Sequence, residues 1–298
     1  MSAPGRPKGE YRSAQHEGTP VSAPGRPKGE YRSAQHEGTP VSPPDRSKGE
    51  FPLGATARSA KGAPLNRQAE IVVKLEQVTR VYQQDSQAVR ALDGIDLEIR
   101  SGDFAVLVGP SGSGKTTLLN LIGGLDSPTT GRIWISGVET GQMSKSELSE
   151  MRLRKIGFVF QEFNLIPVLS ALENVEFVML LQGKPETERH ARSMDLLKEL
   201  GLQGLENRRP AELSGGQQQR VAVARAIAAE PVIVLPDEPT ANLDSKAGGA
   251  LMDLMRRLNE DKGVTFVFST HDPMVVQRAR RVIRLRDGRI ESDERKPA

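Results

Sequence analysis

Eight residues, "GPSGSGKT" from Gly109 to Thr116, combine three glycines with a lysine and hydroxyls in an order suited to holding phosphate. Glycines at 109, 112 and 114 let the backbone curl so that its N–H groups face one anion, and a helix starting there adds its dipole. Lys115 then reaches the β and γ phosphates of a nucleotide, and the Thr116 hydroxyl is placed to ligate Mg²⁺. A second stretch, "VIVLPDEPTANLD" (232–244), runs from apolar residues into an acid pair. Asp237 is suited to hold Mg²⁺ through water, and Glu238 to polarise a water attacking the γ-phosphate. Two acids after a strand are by themselves an ordinary solvated loop; beside a phosphate loop they form a hydrolytic site. Pro236 is the odd member, because it lacks the N–H that a central strand donates. Its expected place is the strand's last position, where losing one N–H costs least and its ring keeps Leu235 extended.

His271 follows the apolar run "TFVFST" (265–270), which brings it to the same sheet edge as both loops if the sheet is parallel. There it could contact the γ-phosphate or orient the water. "LSGGQQQR" (213–220) opens a helical run with a serine and two glycines, a second anion-binding helix start with no lysine or metal acids of its own. It reads either as a glycine-rich cap or as half of a nucleotide site whose other half lies elsewhere.

The elements that must position these residues alternate. Strands are predicted at 71–78, 95–99, 103–109, 132–137, 156–161, 232–235 and 265–270, and as a pair in "RVIRLRDGRI" around an Asp-Gly turn. Between them lie "KTTLLNLIG", a polar-rich helical block over about 171–229, and "ALMDLMRRL". In the last, Leu251, Leu254, Met255 and Leu258 follow the i, i+3, i+4, i+7 spacing of one helix face. Strands alternating with helices imply one α/β domain over 69–298 with a mostly parallel sheet and a helical lobe set on it.

Residues 1–68 have another texture. "SAPGRPKGEYRSAQHEGTPV" occurs unchanged at 2–21 and 22–41, and a decayed third copy begins at 42. Each copy carries too little apolar surface to offset the entropy of ordering, so this tail is expected to be disordered. Residues 1–67 hold 11 of the 41 basic and 6 of the 38 acidic residues, leaving 30 basic against 32 acidic beyond. The basic balance therefore belongs to the tail, and a nucleic-acid-binding domain is not implied. With no cysteine there is no disulfide or thiolate chemistry. No apolar run approaches the roughly 18 residues that crossing a bilayer takes, so a cytoplasmic chain is expected, with membrane contact only through partners.

In order, "GPSGSGKT", the glutamine of "FVFQEF", "LSGGQ", "DEPT", "NLD" and the histidine of "STHD" resemble the ATPase subunits of ABC transporters. The resemblance spans about 71–291. It implies a P-loop NTPase fold of ABC type, with an antiparallel β subdomain and a helical subdomain beside the core sheet, and ATP and Mg²⁺ as cofactors. Gly109, Pro110, Ser111, Gly112, Ser113, Gly114, Lys115, Thr116 and Thr117 would then surround the phosphates, and Tyr82 would stack on adenine. Gln161 would join the Mg²⁺ shell and sense a membrane partner. A head-to-tail homodimer would sandwich ATP between the phosphate loop of one copy and Ser214, Gly215, Gly216 and Gln217 of the other, with Asp244 coupling the two sites.

The wording around these motifs is most similar to the lipoprotein-releasing and macrolide-exporter subfamily, which neighbours a cell-division ATPase that regulates a membrane complex without transport. In that family permease subunits dock just after Gln161, here over Gln161 to Val175. Phe163, Leu165 and Ile166 would offer exposed apolar surface for a partner helix, or else belong to the core.

Overall fold

The computed structural model describes residues 70–84 and 87–296. The repeat tail lies outside the described residues. Ten strands and seven α-helices are present among them. β1 (Ile71–Gln84) and β2 (Gln87–Arg100) pair antiparallel, and with β4 (Thr130–Ile135) and β5 (Val138–Glu139) make a four-stranded sheet in the order β2-β1-β4-β5. The first two strands run further than the apolar pattern predicts, because residues 87–90 are exposed and show no alternation.

The core sheet is six-stranded, in the order β10-β9-β3-β8-β7-β6. Its members are β3 (Phe104–Val108), β6 (Ile156–Val159), β7 (Ile233–Pro236), β8 (Phe266–Ser269), β9 (Arg281–Arg286) and β10 (Arg289–Arg295). All pairings are parallel except the β9–β10 hairpin, whose Asp287-Gly288 turn has both residues at positive φ as a tight hairpin turn demands.

Side-chain alternation along the central strands builds two cores. Phe104, Val106 and Val108, with Phe266 and Phe268, face α3 (Ala171–Leu181), α4 (Glu186–Glu199), α5 (Gly215–Ala228) and α6 (Ser245–Lys262). Ala105, Leu107 and Val267 face α1 (Lys115–Ile122) and the four-stranded sheet. Burial on both faces is what a parallel strand requires, and explains the unbroken apolar runs in the sequence. Phe104 and Phe268 meet edge to face at 4.8 Å, so truncating either would cost about 3–5 kcal/mol.

In α6 the predicted stripe, Leu251, Leu254, Met255 and Leu258, is buried; Asp244 caps its start and left-handed Gly263 its end. The prediction lacks α2 (Lys145–Lys155) and the short α7 (Pro273–Arg278). In α2 only Met151 is buried, so hydrophobic periodicity is silent; the capping box Ser144 to Glu147 was the available signal. Among the described residues no helix is long and apolar enough to cross a membrane.

Candidate functional site

Because β9, β3, β8, β7 and β6 run parallel side by side, their C-terminal ends share one edge. The phosphate loop follows β3, His271 follows β8, the acid pair follows β7 and Gln161 follows β6. Residues scattered over 163 positions of chain thus meet at the crevice where open parallel sheets bind ligands.

The phosphate loop depends on glycine at two close approaches. A Cβ at Gly109 would lie 2.2 Å from the Leu285 carbonyl oxygen, and one at Gly114 would lie 2.6 Å from that of Ala91. Gly114 enters α1 at φ 100 with no side-chain cap, so the helix's first N–H groups are left for a ligand. Lys115 Nζ donates to the carbonyls of Gly109 at 2.9 Å and Pro110 at 3.0 Å, which holds its ammonium over the loop. Thr116 and Thr117 form the first turn, and Ser113 Oγ is buried without a partner.

Asp237 presents a second orphan: its Oδ1 is buried and makes no hydrogen bond. Burial pushes its carboxyl above the usual carboxylate range, and Glu238 pushes the same way, while Ser269, Lys115 and Thr116 partly oppose the shift. Glu238 is held by two groups. Its Oε1 lies 2.9 Å from His271 Nδ1, and its Oε2 accepts from Thr270 Oγ1 at 3.3 Å. His271 is 77% exposed and Glu238 only 19%, so the histidine projects beyond the carboxylate it steadies. Glu238 sits at φ 47, a left-handed strain that its N–H bond to the Ser269 carbonyl helps to hold.

Pro236 corrects one expectation. It does end β7, in register with Val159, but pairing with β8 continues past it. Val234 N–H donates to Thr265 and Glu238 N–H to Ser269, both at 2.9 Å. By the same two-residue step the proline stands where an N–H would reach the Val267 carbonyl, so the missing rung lies inside the ladder directly beneath the acid pair. The strand end is a label of hydrogen bonding; the neighbouring strand extends beyond it.

The remaining predicted residues gather elsewhere. Ser214 and Gln217 are engaged with each other in a capping box: Ser214 Oγ accepts from Gln217 N at 3.3 Å, and Gln217 Oε1 accepts from Ser214 N at 2.8 Å. An added Cβ on Gly215 would touch Asn242 and Leu243, and one on Gly216 would touch Ala247. The α5 start therefore lies beside the α6 start, where Asp244 accepts from Ala247 N at 2.8 Å. No hydrogen bond among the described residues joins either helix start to the phosphate loop. Gln161 is exposed, and its carbonyl accepts from Asn242 Nδ2 at 3.0 Å. Tyr82 donates to Asp126 at 2.8 Å with Arg80 over one ring face.

Phe163, Leu165 and Ile166, read as partner surface or as core, are half-buried, and the first two pack against the helical core; the large exposed aliphatic residue of that loop is Val168. Sequence reading also passed over Thr270, Asn242, Gln219 and Arg225, all of which hold site loops. Thr270, Asn242 and Gln219 lie inside quoted motifs, whereas nothing local marks Arg225.

Residues 92–241 match the family described as ABC transporter. The chain belongs to this family of ATP-binding cassettes. It is similar to the lipoprotein-releasing system ATP-binding protein LolD 1 of Rhodopseudomonas palustris, at 47% identity over 221 residues, covering 74% of this chain and 98% of that protein. It is also similar to the macrolide export ATP-binding/permease protein MacB of Mannheimia succiniciproducens, 42% identical over 76% of this chain but only 35% of that longer protein. Among solved structures, the Methanocaldococcus jannaschii cassette MJ0796, a dimer in a post-hydrolysis state bound to ADP and Pi, is 46% identical with a TM-score of 0.70. The match covers 76% of this chain and 99% of that one. As a member of the family the cassette is an ATP-hydrolysing transporter subunit.

Proposed function

We propose that two copies of this cassette close on ATP, each nucleotide lying between the phosphate loop of one copy and Ser214, Gly215, Gly216 and Gln217 of the other. Closure would drive membrane-embedded permease partners in lipoprotein release or outward export of a substrate, with the cassette held at the cytoplasmic membrane face through those partners. The observation that carries this reading is the Glu238 carboxylate, steadied 2.9 Å from His271 Nδ1 beside the unpaired Asp237 oxygen at the edge that bears the phosphate loop.

Each residue has a task that follows from its placement. Lys115 would leave its loop carbonyls for the β and γ phosphates, a stronger acceptor pair, and the uncapped N–H groups of α1 would add their dipole. The donor set of Thr116 hydroxyl, Asp237 carboxylate and Gln161 amide is hard oxygen, which fits Mg²⁺ completed by phosphate oxygens and water. That ion, when bound, neutralises charge developing between the β and γ phosphates. Its charge would also relieve the burial penalty on Asp237. Glu238 would accept a hydrogen bond from the attacking water, and His271, its Nδ1 2.9 Å from Oε1, would keep the carboxylate aimed. Adenine would stack on the Tyr82 face opposite Arg80. In the other copy, Gly215 and Gly216 keep helix-start N–H groups that their own capping box does not use. Asp244, exposed at the neighbouring helix start, is placed to couple the two sites.

The deciding experiment is Glu238→Gln. ATP should still bind, phosphate release should fall by about 10²–10⁴-fold, and a dimer should accumulate on sizing columns. Ordinary turnover in that variant would remove Glu238 from the reaction. Copurification from solubilised membranes would identify the permease and so the cargo class.

A further inference from the structure

The loop after β6 carries two consecutive residues in the left-handed region, Phe163 at φ 62 and Asn164 at φ 47. Asparagine tolerates that region and phenylalanine does not, and two such residues in succession persist only where the surroundings hold them. The holder is Arg225, in the last turn of α5. Its Nη2 donates to the Phe163 carbonyl at 2.9 Å and its Nη1 to the Asn164 carbonyl at 2.5 Å. A guanidinium offers two N–H groups in one plane at a fixed spacing, so a single side chain can grip consecutive carbonyls; an ammonium has no such fork. Burial pulls this guanidinium below its ordinary value, and among the described residues it forms no ion pair with a carboxylate. Its charge is met by these carbonyl dipoles.

Two residues earlier the same loop is gripped from another side, where Asn242 Nδ2 donates to the Gln161 carbonyl. Asn242 lies four residues beyond Glu238, in a segment that α5 also holds: the fully buried Gln219 donates from Nε2 to the Pro239 carbonyl at 2.9 Å. One helix therefore fastens both the loop bearing Gln161 and the turn bearing the hydrolytic acid. We propose that Arg225 is a positioning residue for Gln161, gripping the strained carbonyl pair so that the glutamine faces the nucleotide and its loop moves as one body with α5. This deepens the proposed function and rests on it.

The test uses the full chain with Arg225→Met, which keeps the apolar stem, and Arg225→Lys, which keeps the charge without the fork. Three quantities are read: kcat for ATP, nucleotide Kd, and hydrogen exchange of the amides in 161–166. The Met variant should lose about tenfold or more in kcat while Kd stays within about twofold, because the phosphate loop is untouched. Exchange should rise in 161–166 and stay unchanged in α1 and α5, and the Lys variant should fall between Met and parent. A folded Met variant with parental kcat, or one whose faster exchange spreads through α5, overturns the proposal. Should thermal unfolding show that the Met variant does not fold, the Lys variant decides: parental kcat and exchange overturn the proposal, and a lowered kcat with loosened 161–166 supports it. If the parent itself fails to hydrolyse ATP, the proposed function falls, and the exchange pattern still tests whether Arg225 holds the loop.

Discussion

Two helices in this molecule start at glycines suited to an anion, and they treat their first N–H groups in opposite ways. At α1 the cap is Gly114, which has no side chain to offer, and the loop before it is folded over by a lysine drawn from the helix itself. At α5 the cap is Ser214, which closes a reciprocal box with Gln217 before any ligand arrives. The first region also contains the buried, unpaired Asp237 Oδ1 and Ser113 Oγ. Its own chain leaves these polar atoms unpaired, and in the function proposed above a charged, metal-bearing ligand would complete them. The second is satisfied locally and keeps two glycine N–H groups, which under the proposed dimer would face a phosphate held by the other copy. On the proposed function, strong binding would belong to the open helix start and selective closure to the capped one.

Lys115→Ala attacks the open start and should have the largest effect on binding, weakening ATP affinity by about 10- to 100-fold as charged hydrogen bonds to phosphate are lost. Unchanged affinity by calorimetry would break the contrast at its root. Ser214→Ala attacks the capped start. It should leave the nucleotide affinity of the monomer alone, lower ATP-dependent dimerisation and hydrolysis, and cost about 1 kcal/mol of stability through the lost cap. If the monomer's affinity for ATP fell as well, the two starts would not be separate half-sites.

Asp237→Asn sharpens the claim that the first region is incomplete. Burial raises this carboxyl, so the stability conferred by its neutral form is present below the ordinary carboxylate value and is lost as pH rises through the raised one. Without nucleotide, Asp237→Asn should therefore unfold at or above the parent's temperature near about pH 7.5, with the gap closing toward acid. Mg²⁺-ATP should raise the melting temperature of the parent and not that of the variant. A variant less stable than the parent at neutral pH would show that the carboxylate is not under strain. Pro236→Ala has the smallest expected effect. Restoring a rung adds about 0.5–1.5 kcal/mol, and losing the proline's restriction of the unfolded chain removes about 0.4–1 kcal/mol. Stability should then move by less than about 1 kcal/mol and hydrolysis by less than about twofold. A large gain in rate would mean that the open rung beneath Glu238 limits the enzyme.

Most of the chemistry was legible because it is local. The phosphate loop, the acid pair and the capping box are each built from neighbours in sequence, and backbone geometry decides their form. The apolar runs and the α6 stripe likewise announce their partners, since a strand buried on two faces or a helix buried on one has few other arrangements. Helix α2 was missed for the same reason in reverse: with one buried residue it carries almost no pattern. Phe163 and Leu165 stay open between surface and core in the sequence because an apolar residue in a loop does not reveal which way it turns.

What the sequence by itself determined is the set of parts: a glycine turn before a helix, acids after an apolar strand, a serine-capped glycine helix start. Tertiary structure alone decided which parts share a site. Parallel pairing aligned the ends of β3, β8, β7 and β6, so that His271 came to Glu238 from 33 residues away, and Arg225 to Phe163 from 62. The same pairing showed that Pro236 interrupts a ladder that its own strand's length had concealed. Such contacts depend on register and strand order, which arise from the whole core settling at once, and no short stretch of residues encodes them.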